Sequence, residues 1–333
     1  MDHFKALVLA KENGSDPTLS VNKQSLEDLP DGDVTIQVAY SSLNYKDAMV
    51  GIKHQLVKSY PHIPGIDLAG TVLASKDETY KPGDKVIVTS YELGTGHAGG
   101  FSEVARVPKE WVVPLPKGLT LREAMILGTA GLTAGLSVQR LEDNGLASSE
   151  GPVLVAGATG GVGSLAVDML AKKGYDVAAS TGSSSEKDYL EKLGAKEIIS
   201  REDVTDQDGT PTRKKRWAAA VDPVGGSTLQ YILSTLKQHG SVATSGLVGG
   251  IEVKTTVLPF IGRGVNWLGI DSVQCPMELR KKVWERLATD LKPTNLNEEV
   301  VNEISLDEIE QTLQEILEGR VRGRTIVKLN PTD

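Results

Sequence analysis

The spacing of apolar and polar positions changes character along the chain. In the first hundred residues, short runs at 4–10, 33–40, 70–73, 85–89 and 99–105 read as strands, and 33–40 alternates with period two. Turn signals rich in Pro, Gly and Asp stand at 30–33 and 81–84. Near Thr120 the spacing becomes helical, over 121–129 and 132–141. Strand-sized apolar runs then recur at 153–157, 176–181, 196–200, 218–222, 240–246 and 266–270. Helical stretches separate most of them, including 186–193 and 228–236. Two helices, 276–290 and 306–317, and a strand, 325–329, close the chain. The pattern predicts an α/β protein: a small barrel-like β domain, then a doubly wound parallel sheet with helices on both faces.

One turn in the second half carries chemistry. The buried-strand signal at 153–156 leads into Gly157-Ala158-Thr159-Gly160-Gly161-Val162-Gly163, and a helix follows from Ser164. Strand, glycine-rich turn and helix in that order give a dinucleotide fingerprint its meaning, with Ala158 where the first glycine usually stands. Gly160 lets backbone approach a pyrophosphate, Gly163 lets helix pack close to strand, and the helix N-terminus attracts negative charge. Thr159, Gly160, Gly161, Val162 and Gly163 are therefore candidate cofactor contacts. The plainer alternative is an ordinary glycine turn.

The acidic residue that holds ribose hydroxyls in many NAD sites falls about 20 residues beyond the glycines. Here that region reads Ser180-Thr181-Gly182-Ser183-Ser184-Ser185, with no carboxylate until Glu186. Small hydroxyl side chains leave room for a 2′-phosphate, which favours NADPH. Lys187 and Arg201 are the candidate cations, and a simple polar turn is the competing explanation.

Length and composition narrow the class. A chain of 333 residues is enough for about two domains. The net charge of −8 argues against a nucleic-acid footprint. The basic run at 213–216 lies beside Asp203, Asp206 and Asp208 and reads as a solvated face. The single cysteine, Cys275, excludes an internal disulfide. Without a secretory pattern or an apolar run of membrane-spanning length, the expectation is a soluble cytoplasmic protein. One Cys and five His (His3, His54, His62, His97 and His239), none paired at metal-ligand spacing, predict no zinc site. Without a Lewis acid, reduction of an already polarised acceptor, an α,β-unsaturated carbonyl or a quinone, is favoured over alcohol oxidation.

Several motifs together resemble the zinc-free medium-chain dehydrogenase/reductase superfamily. They are Ser41-Ser42-Leu43-Asn44-Tyr45-Lys46-Asp47-Ala48, Pro64-Gly65-Ile66-Asp67-Leu68-Ala69-Gly70, Gly128-Thr129-Ala130-Gly131-Leu132-Thr133-Ala134 and the glycine turn. Asp222-Pro223-Val224-Gly225-Gly226, Ser245-Gly246-Leu247-Val248-Gly249, Gly269-Ile270-Asp271-Ser272-Val273 and Gly323-Arg324-Thr325-Ile326-Val327-Lys328 complete the set. The combination resembles the acrylyl-CoA reductase branch, whose relatives are often labelled quinone oxidoreductases. Asn44 stands where zinc-dependent relatives place a ligand Cys, and Gly65-Ile66-Asp67 replaces their Gly-His-Glu.

The resemblance implies a GroES-like β domain over 1–124 and 271–333, a Rossmann cofactor domain over 125–270, and an active site in the cleft between them. It implies that strand 325–329 returns to the first domain. It places Tyr45 beside the cofactor, Thr129, Leu247, Ile261 and Ser272 near the nicotinamide, and Arg324 near cofactor phosphate or ribose. It also implies a homodimer, formed through edge strands around 258–267.

These readings converge on conjugate reduction with NADPH. Charge developing on a carbonyl oxygen needs preorganised donors. Tyr45 is the candidate: a phenol donates a hydrogen bond or proton at neutral pH but is a poor base. The alternative role for Tyr45 is positional. Asn44 either orients substrate or caps a turn, while Asp47 and Asp67 read as fold-stabilising carboxylates. Arg320, Arg322 and Arg324 suggest a patch for phosphate or CoA, with a solvated surface as the simpler explanation for the first two. The leading substrate is acrylyl-CoA or a similar short enoyl thioester. The alternatives are a quinone or alkenal reductase, and a nucleotide-binding sensor or structural protein without turnover.

Overall fold

Strand pairing divides the chain into a mixed β assembly and a fully parallel sheet. A computed structural model describes residues 3–12, 14–296 and 301–330. The chain forms two compact units: Met1–Thr129, Val273–Lys281 and Leu296–Asp333 make the first, and Ala130–Ser272 with Lys282–Asn295 the second.

In the first unit a seven-stranded sheet runs in the order Val301–Ile304, Arg324–Lys328, Val34–Ser42, Asp67–Ser75, Lys85–Thr89 and Val112–Pro114, with Val104–Val107 also pairing Val34–Ser42. A separate antiparallel pair joins His3–Ala10 to Thr18–Ser25. The period-two expectation holds on Val34–Ser42, where Val34, Ile36 and Val38 are fully buried against Leu68, Val72, Val86 and Val88. The closing strand does return to the β domain: Ile326 pairs Ser42 and Lys328 pairs Tyr40, antiparallel. Three strands escaped the sequence reading: Thr18–Ser25, Val112–Pro114 and Val301–Ile304. The first is largely exposed and rich in polar residues, the second has three residues, and neither gives a strong alternation signal.

The second unit holds a six-stranded sheet with every neighbouring pair parallel. Its order is Glu197–Ser200, Val177–Thr181, Val153–Val155, Trp217–Asp222, Leu236–Thr244 and Asn266–Gly269. Numbered within this sheet the order is 3-2-1-4-5-6, that of a dinucleotide-binding Rossmann fold. Leu154, Ala178, Ala220 and Val242 lie on four adjacent strands and join one core with Trp217, Leu229, Ile232 and Leu236.

The chain passes from the first unit to the second between Thr129 and Ala130, and Lys282–Asn295 packs with the second unit. Gly135 approaches Val283 so closely that a Cβ would lie 2.8 Å from its methyl carbon. Arg286 donates to Gln139 at 3.0 Å, and the buried Asp168 carboxylate accepts the backbone N–H groups of Thr294 and Asn295. Among the described residues, no helix is long and apolar enough to cross a membrane.

Candidate active site

In the first unit the candidate site is organised by a carboxylate rather than by Tyr45. Tyr45 opens the short helix Tyr45–Gly51, with Asn44 as its N-cap, and its side chain is exposed. Asp47 accepts the Asn44 backbone N–H at 2.8 Å and that of Ile66 at 2.9 Å, which fixes the start of the helix. Asn44 Nδ2 donates to Asp67 at 2.8 Å and to Asp47 at 3.3 Å, and its Oδ1 lies 3.4 Å from Arg324. Both amide hydrogens of Asn44 are therefore engaged inside the protein. The structure favours the capping alternative for this residue over direct contact with substrate.

Asp67 is fully buried and gathers the cluster. Its Oδ2 accepts Ser42 Oγ at 2.7 Å, Asn44 Nδ2 at 2.8 Å and the Thr129 N–H at 2.9 Å; its Oδ1 accepts Thr129 Oγ1 at 2.5 Å. Thr129 can be held this way because the helical stretch Leu121–Asp143 breaks at Gly128, where φ is 52°. A Cβ on Gly128 would sit 2.5 Å from Asp67 Oδ2 and 2.6 Å from Ser42 Oγ, so only glycine admits both the conformation and the packing.

Arg324, which the resemblance places near cofactor phosphate or ribose, is buried and bonded inside the β unit. Nε donates to Ile126 O at 2.7 Å, Nη1 to Leu43 O at 2.9 Å, and Nη2 to Ser42 Oγ at 2.9 Å. Its guanidinium is the structural counterweight to two buried carboxylates. Burial lowers the Arg324 pKa, and the charges of Asp67 and Asp47 oppose that shift. Burial, then repulsion from Asp67, raises Asp47 to about 7.

Next to this cluster Ser90 and Tyr91 adopt left-handed backbone, with φ of 64° and 51°. Such conformations cost about 1–3 kcal/mol each in residues other than glycine, so the surroundings must enforce them. Ser90 Oγ lies 2.9 Å from Thr129 Oγ1. The Tyr91 ring stacks on Trp111 (5.7 Å between centroids, 7° between planes) and carries the Arg280 guanidinium 4.3 Å from its centroid. Arg280, fully buried, also donates to Thr89 O and Oγ1 and to Val273 O. Ser90, Tyr91 and Arg280 have no sequence signal: Arg280 looks like any cation on a helix until the fold buries it.

In the second unit the glycine turn stands as expected. Gly160 caps the helix Gly161–Lys172, and Thr159, Gly160, Gly161 and Val162 are half-buried at its N-terminus. A Cβ on Gly163 would collide with Gly157 O and lie 2.8 Å from Ala158 Cα, which is the close helix–strand approach such a turn requires. Ser180 and Thr181 are buried at the end of their strand, with Gly182 and Ser183 exposed beyond it. Thr181 Oγ1 accepts the Ser183 N–H at 3.1 Å. The Arg201 N–H donates to Thr181 O at 2.9 Å, and its guanidinium lies against Gly182. Lys187, the other candidate cation, is exposed and 3.7 Å from Glu191.

At the carboxyl ends of the parallel strands, a groove of about 480 Å³ is lined by Thr244, Ser245, Gly246, Leu247, Gly269, Ile270 and Asp271. Ser245 Oγ is shielded from solvent with no hydrogen-bond partner among the described residues. A buried hydroxyl of this kind is costly unless a ligand completes it. Leu247 lines the groove, whereas Ile261 lies on the short helix Leu258–Arg263 with its side chain exposed. Ser272 is buried and accepts Thr133 Oγ1 at 2.8 Å. Asp222 caps the adjoining turn by accepting the N–H groups of Val224 and Gly225, and burial raises its pKa. The glycine cradle, the cation beside Gly182 and the orphaned Ser245 hydroxyl all fit a dinucleotide.

Comparison with known proteins agrees with this arrangement. Residues 30–117 match the alcohol dehydrogenase GroES-like domain, and residues 161–289 match the family described as zinc-binding dehydrogenase. Among the described residues no three His, Cys, Asp or Glu side chains converge as a ligand set. The chain is 55% identical to "Putative quinone oxidoreductase YhfP" of Bacillus subtilis over 98% of its own length and 99% of that protein's. It superimposes on the yhfP crystal structure with NAD bound at a TM-score of 0.96, covering 99% of this chain and all of that one. It is 49% identical to acrylyl-CoA reductase AcuI of Ruegeria pomeroyi, covering 98% and 99% of the two chains. The yhdH oxidoreductase of Salmonella enterica in complex with NADP matches at 44% identity and a TM-score of 0.93, covering 98% of this chain and 99% of that one. With near-complete coverage at such identities, the chain belongs to the medium-chain dehydrogenase/reductase superfamily, in the branch of the acrylyl-CoA reductases and their quinone oxidoreductase relatives.

Proposed function

We infer that the protein is an NADPH-dependent oxidoreductase that reduces an activated alkene, acrylyl-CoA or a similar short enoyl thioester, without a metal. The observation that carries the cofactor half is the 3-2-1-4-5-6 parallel sheet with its glycine cradle and the Arg201 guanidinium against Gly182. Thr159 to Gly163 would hold the pyrophosphate. Ser180, Thr181, Gly182, Ser183 and Arg201 would hold the 2′-phosphate end, where no carboxylate competes before Glu186. That local chemistry favours the phosphorylated cofactor, present as NADP in the yhdH complex, over the NAD present in the yhfP structure. Leu247 and Ser245 would line the nicotinamide end, and Thr129, Ile261 and Ser272 keep the nicotinamide roles implied by family resemblance. When bound, NADPH supplies the hydride.

The chain's own residues must then manage charge and protons. An enolate oxygen needs hydrogen-bond donors. Thr129 cannot serve, because its hydroxyl proton is committed to Asp67. Asn44 is committed as well. The exposed Tyr45 phenol, held at the start of its helix by Asn44 and Asp47, is the donor we assign, and Asn44 acts as its positioning residue. We further propose a cytoplasmic homodimer. The edge strand Asn266–Gly269 and the exposed side chains of Leu258 and Trp267 supply an apolar border for a second copy.

The 55% identity to a protein named as a quinone oxidoreductase gives a second reading specific support. Oxidation of NADPH and of NADH by the metal-free protein against acrylyl-CoA, a 1,2-quinone and a simple alkenal separates the two. Selective turnover of acrylyl-CoA with NADPH is the expected result. Quinone or alkenal turnover without a CoA preference moves the protein to the second reading. Tight NADPH binding with no turnover makes it a sensor.

A further inference from the structure

In the first unit, the stretch from Ala48 to Ile66 is set apart by its charge. It holds Lys53 and Lys58, with His54 and His62, and no carboxylate, in a chain whose net charge is −8. Lys58 is paired with Glu92, and His62 is buried on Gly94 O. The side chains of Lys53 and His54 have no ion-pair or hydrogen-bond partner among the described residues. The backbone here is also unusual. His54 and Leu56 are left-handed, with φ of 54° and 66°, on either side of Gln55. Left-handed residues alternating with ordinary ones bring successive N–H groups to one side and form a concave seat for an anion. The Gln55 N–H reaches Met49 O at 2.8 Å, but the N–H groups of His54 and of 56–60 bond no described residue. Packing does not explain the strain at Leu56, because its side chain is 56% exposed. Strain of this kind persists at ligand sites, where the surroundings over-determine it.

The seat stands at a defined distance from Tyr45. Tyr45 opens the helix Tyr45–Gly51, and the Lys53 N–H still bonds Ala48 O, at 3.2 Å, just past its end. Eight residues at about 1.5 Å each separate the two by about 12 Å along the axis. The pantetheine arm of a CoA thioester can bridge such a span between its acyl group and its phosphates. We propose that the loop 53–60 binds the phosphates of a CoA thioester, through Lys53, His54 and the open backbone N–H groups, while the acyl end reaches Tyr45. The proposal rests on the enoyl thioester reading above and supplies its affinity handle. A cationic seat on an otherwise acidic protein also concentrates a polyanionic substrate where the reaction needs it. Arg320, the sequence-based candidate for such a patch, is instead ion-paired with Glu318.

The test is calorimetric binding to protein saturated with NADP+, so that the cofactor's own phosphate sites are filled. The probes are CoA, pantetheine and inorganic phosphate. Wild-type protein is expected to bind CoA about a hundredfold more tightly than pantetheine, the worth of one or two charge-assisted hydrogen bonds. Lys53→Gln and His54→Gln should each weaken CoA by about tenfold and leave pantetheine unchanged, whereas Arg320→Gln should alter neither. The KM for acrylyl-CoA should rise in the first two variants with kcat nearly constant, since the phosphates lie far from the reacting atoms. CoA bound equally by wild-type protein and a Lys53→Gln, His54→Gln double variant overturns the inference and leaves the thioester reading intact. So does a loss of CoA affinity in Arg320→Gln alone. Inorganic phosphate bound as tightly as CoA, and lost in Lys53→Gln, makes the seat a free-phosphate site and overturns the CoA assignment. Wild-type protein that ignores CoA yet reduces a quinone or alkenal overturns the thioester reading, and this inference with it.

Discussion

Replacing Arg324 with Met separates a structural cation from a phosphate ligand. Met keeps much of the length and removes every donor. Ile126 O loses its 2.7 Å bond, Leu43 O its 2.9 Å bond and Ser42 Oγ its 2.9 Å donor. Asp67 and Asp47, both fully buried, lose the cation that faces them. Removing one partner of a buried ion cluster costs about 3–5 kcal/mol, because the remaining charge is uncompensated. The carbonyl losses are part of the same disruption and are not added again. With folded domains stable by about 5–15 kcal/mol, the β unit should lose a large share of its margin. Native-state hydrogen exchange at the amides of Val34–Ser42 reads this unit by itself. Opening there should become easier by about two to nearly four orders of magnitude at tenfold per 1.4 kcal/mol. NADPH affinity in the protein that remains folded should change little. Exchange altered by less than about tenfold, together with a large loss of NADPH affinity, would refute the structural assignment and restore Arg324 as a phosphate ligand.

Other consequences are as direct. Gly163→Ala places a methyl group 2.8 Å from Ala158 Cα, so helix and strand must separate; a stability loss of about 1–3 kcal/mol with weaker NADPH binding is expected in thermal melts and fluorescence titrations. Arg201→Gln should weaken NADPH by about tenfold or more and leave NADH nearly unaffected, measured as paired dissociation constants. Asp47, raised to about 7 in the folded state beside Asp67 and Arg324, binds its proton more tightly folded than unfolded. Its contribution to stability is therefore full at pH values below the ordinary carboxylate range and is lost as pH rises to about 7. Urea midpoints of wild-type and Asp47→Asn proteins, compared between pH 4 and 8, should show a steeper decline in the wild type, since the raised Asp222 contributes equally to both; parallel curves would remove Asp47 as a source.

Local patterns carried much of the architecture. The strand at 153–155, the glycine turn and the helix after it are fixed by residues a few positions apart, and so they are legible in one stretch of chain. The same holds for the recurring strands of the parallel sheet, whereas the break at Gly128 falls inside the helix expected over 121–129. Weak or short signals marked the limit, as with the polar, exposed strand Thr18–Ser25.

Tertiary structure decided the roles of the charged residues. Asp67 takes partners from positions 42, 44 and 129, and Arg324 from 42, 43 and 126, distances that no window of sequence spans. Arg280 and Arg324 look alike in sequence to solvated cations such as Arg320. Burial makes the difference, since a guanidinium removed from water must satisfy its donors within the fold. The sequence by itself determined that a dinucleotide-binding sheet follows a β domain, because period and glycine spacing are local properties. The fold alone determined that a buried carboxylate unites Asn44, Thr129 and Ser42, because hydrogen bonding in a low-dielectric interior depends on which distant groups the packing brings together.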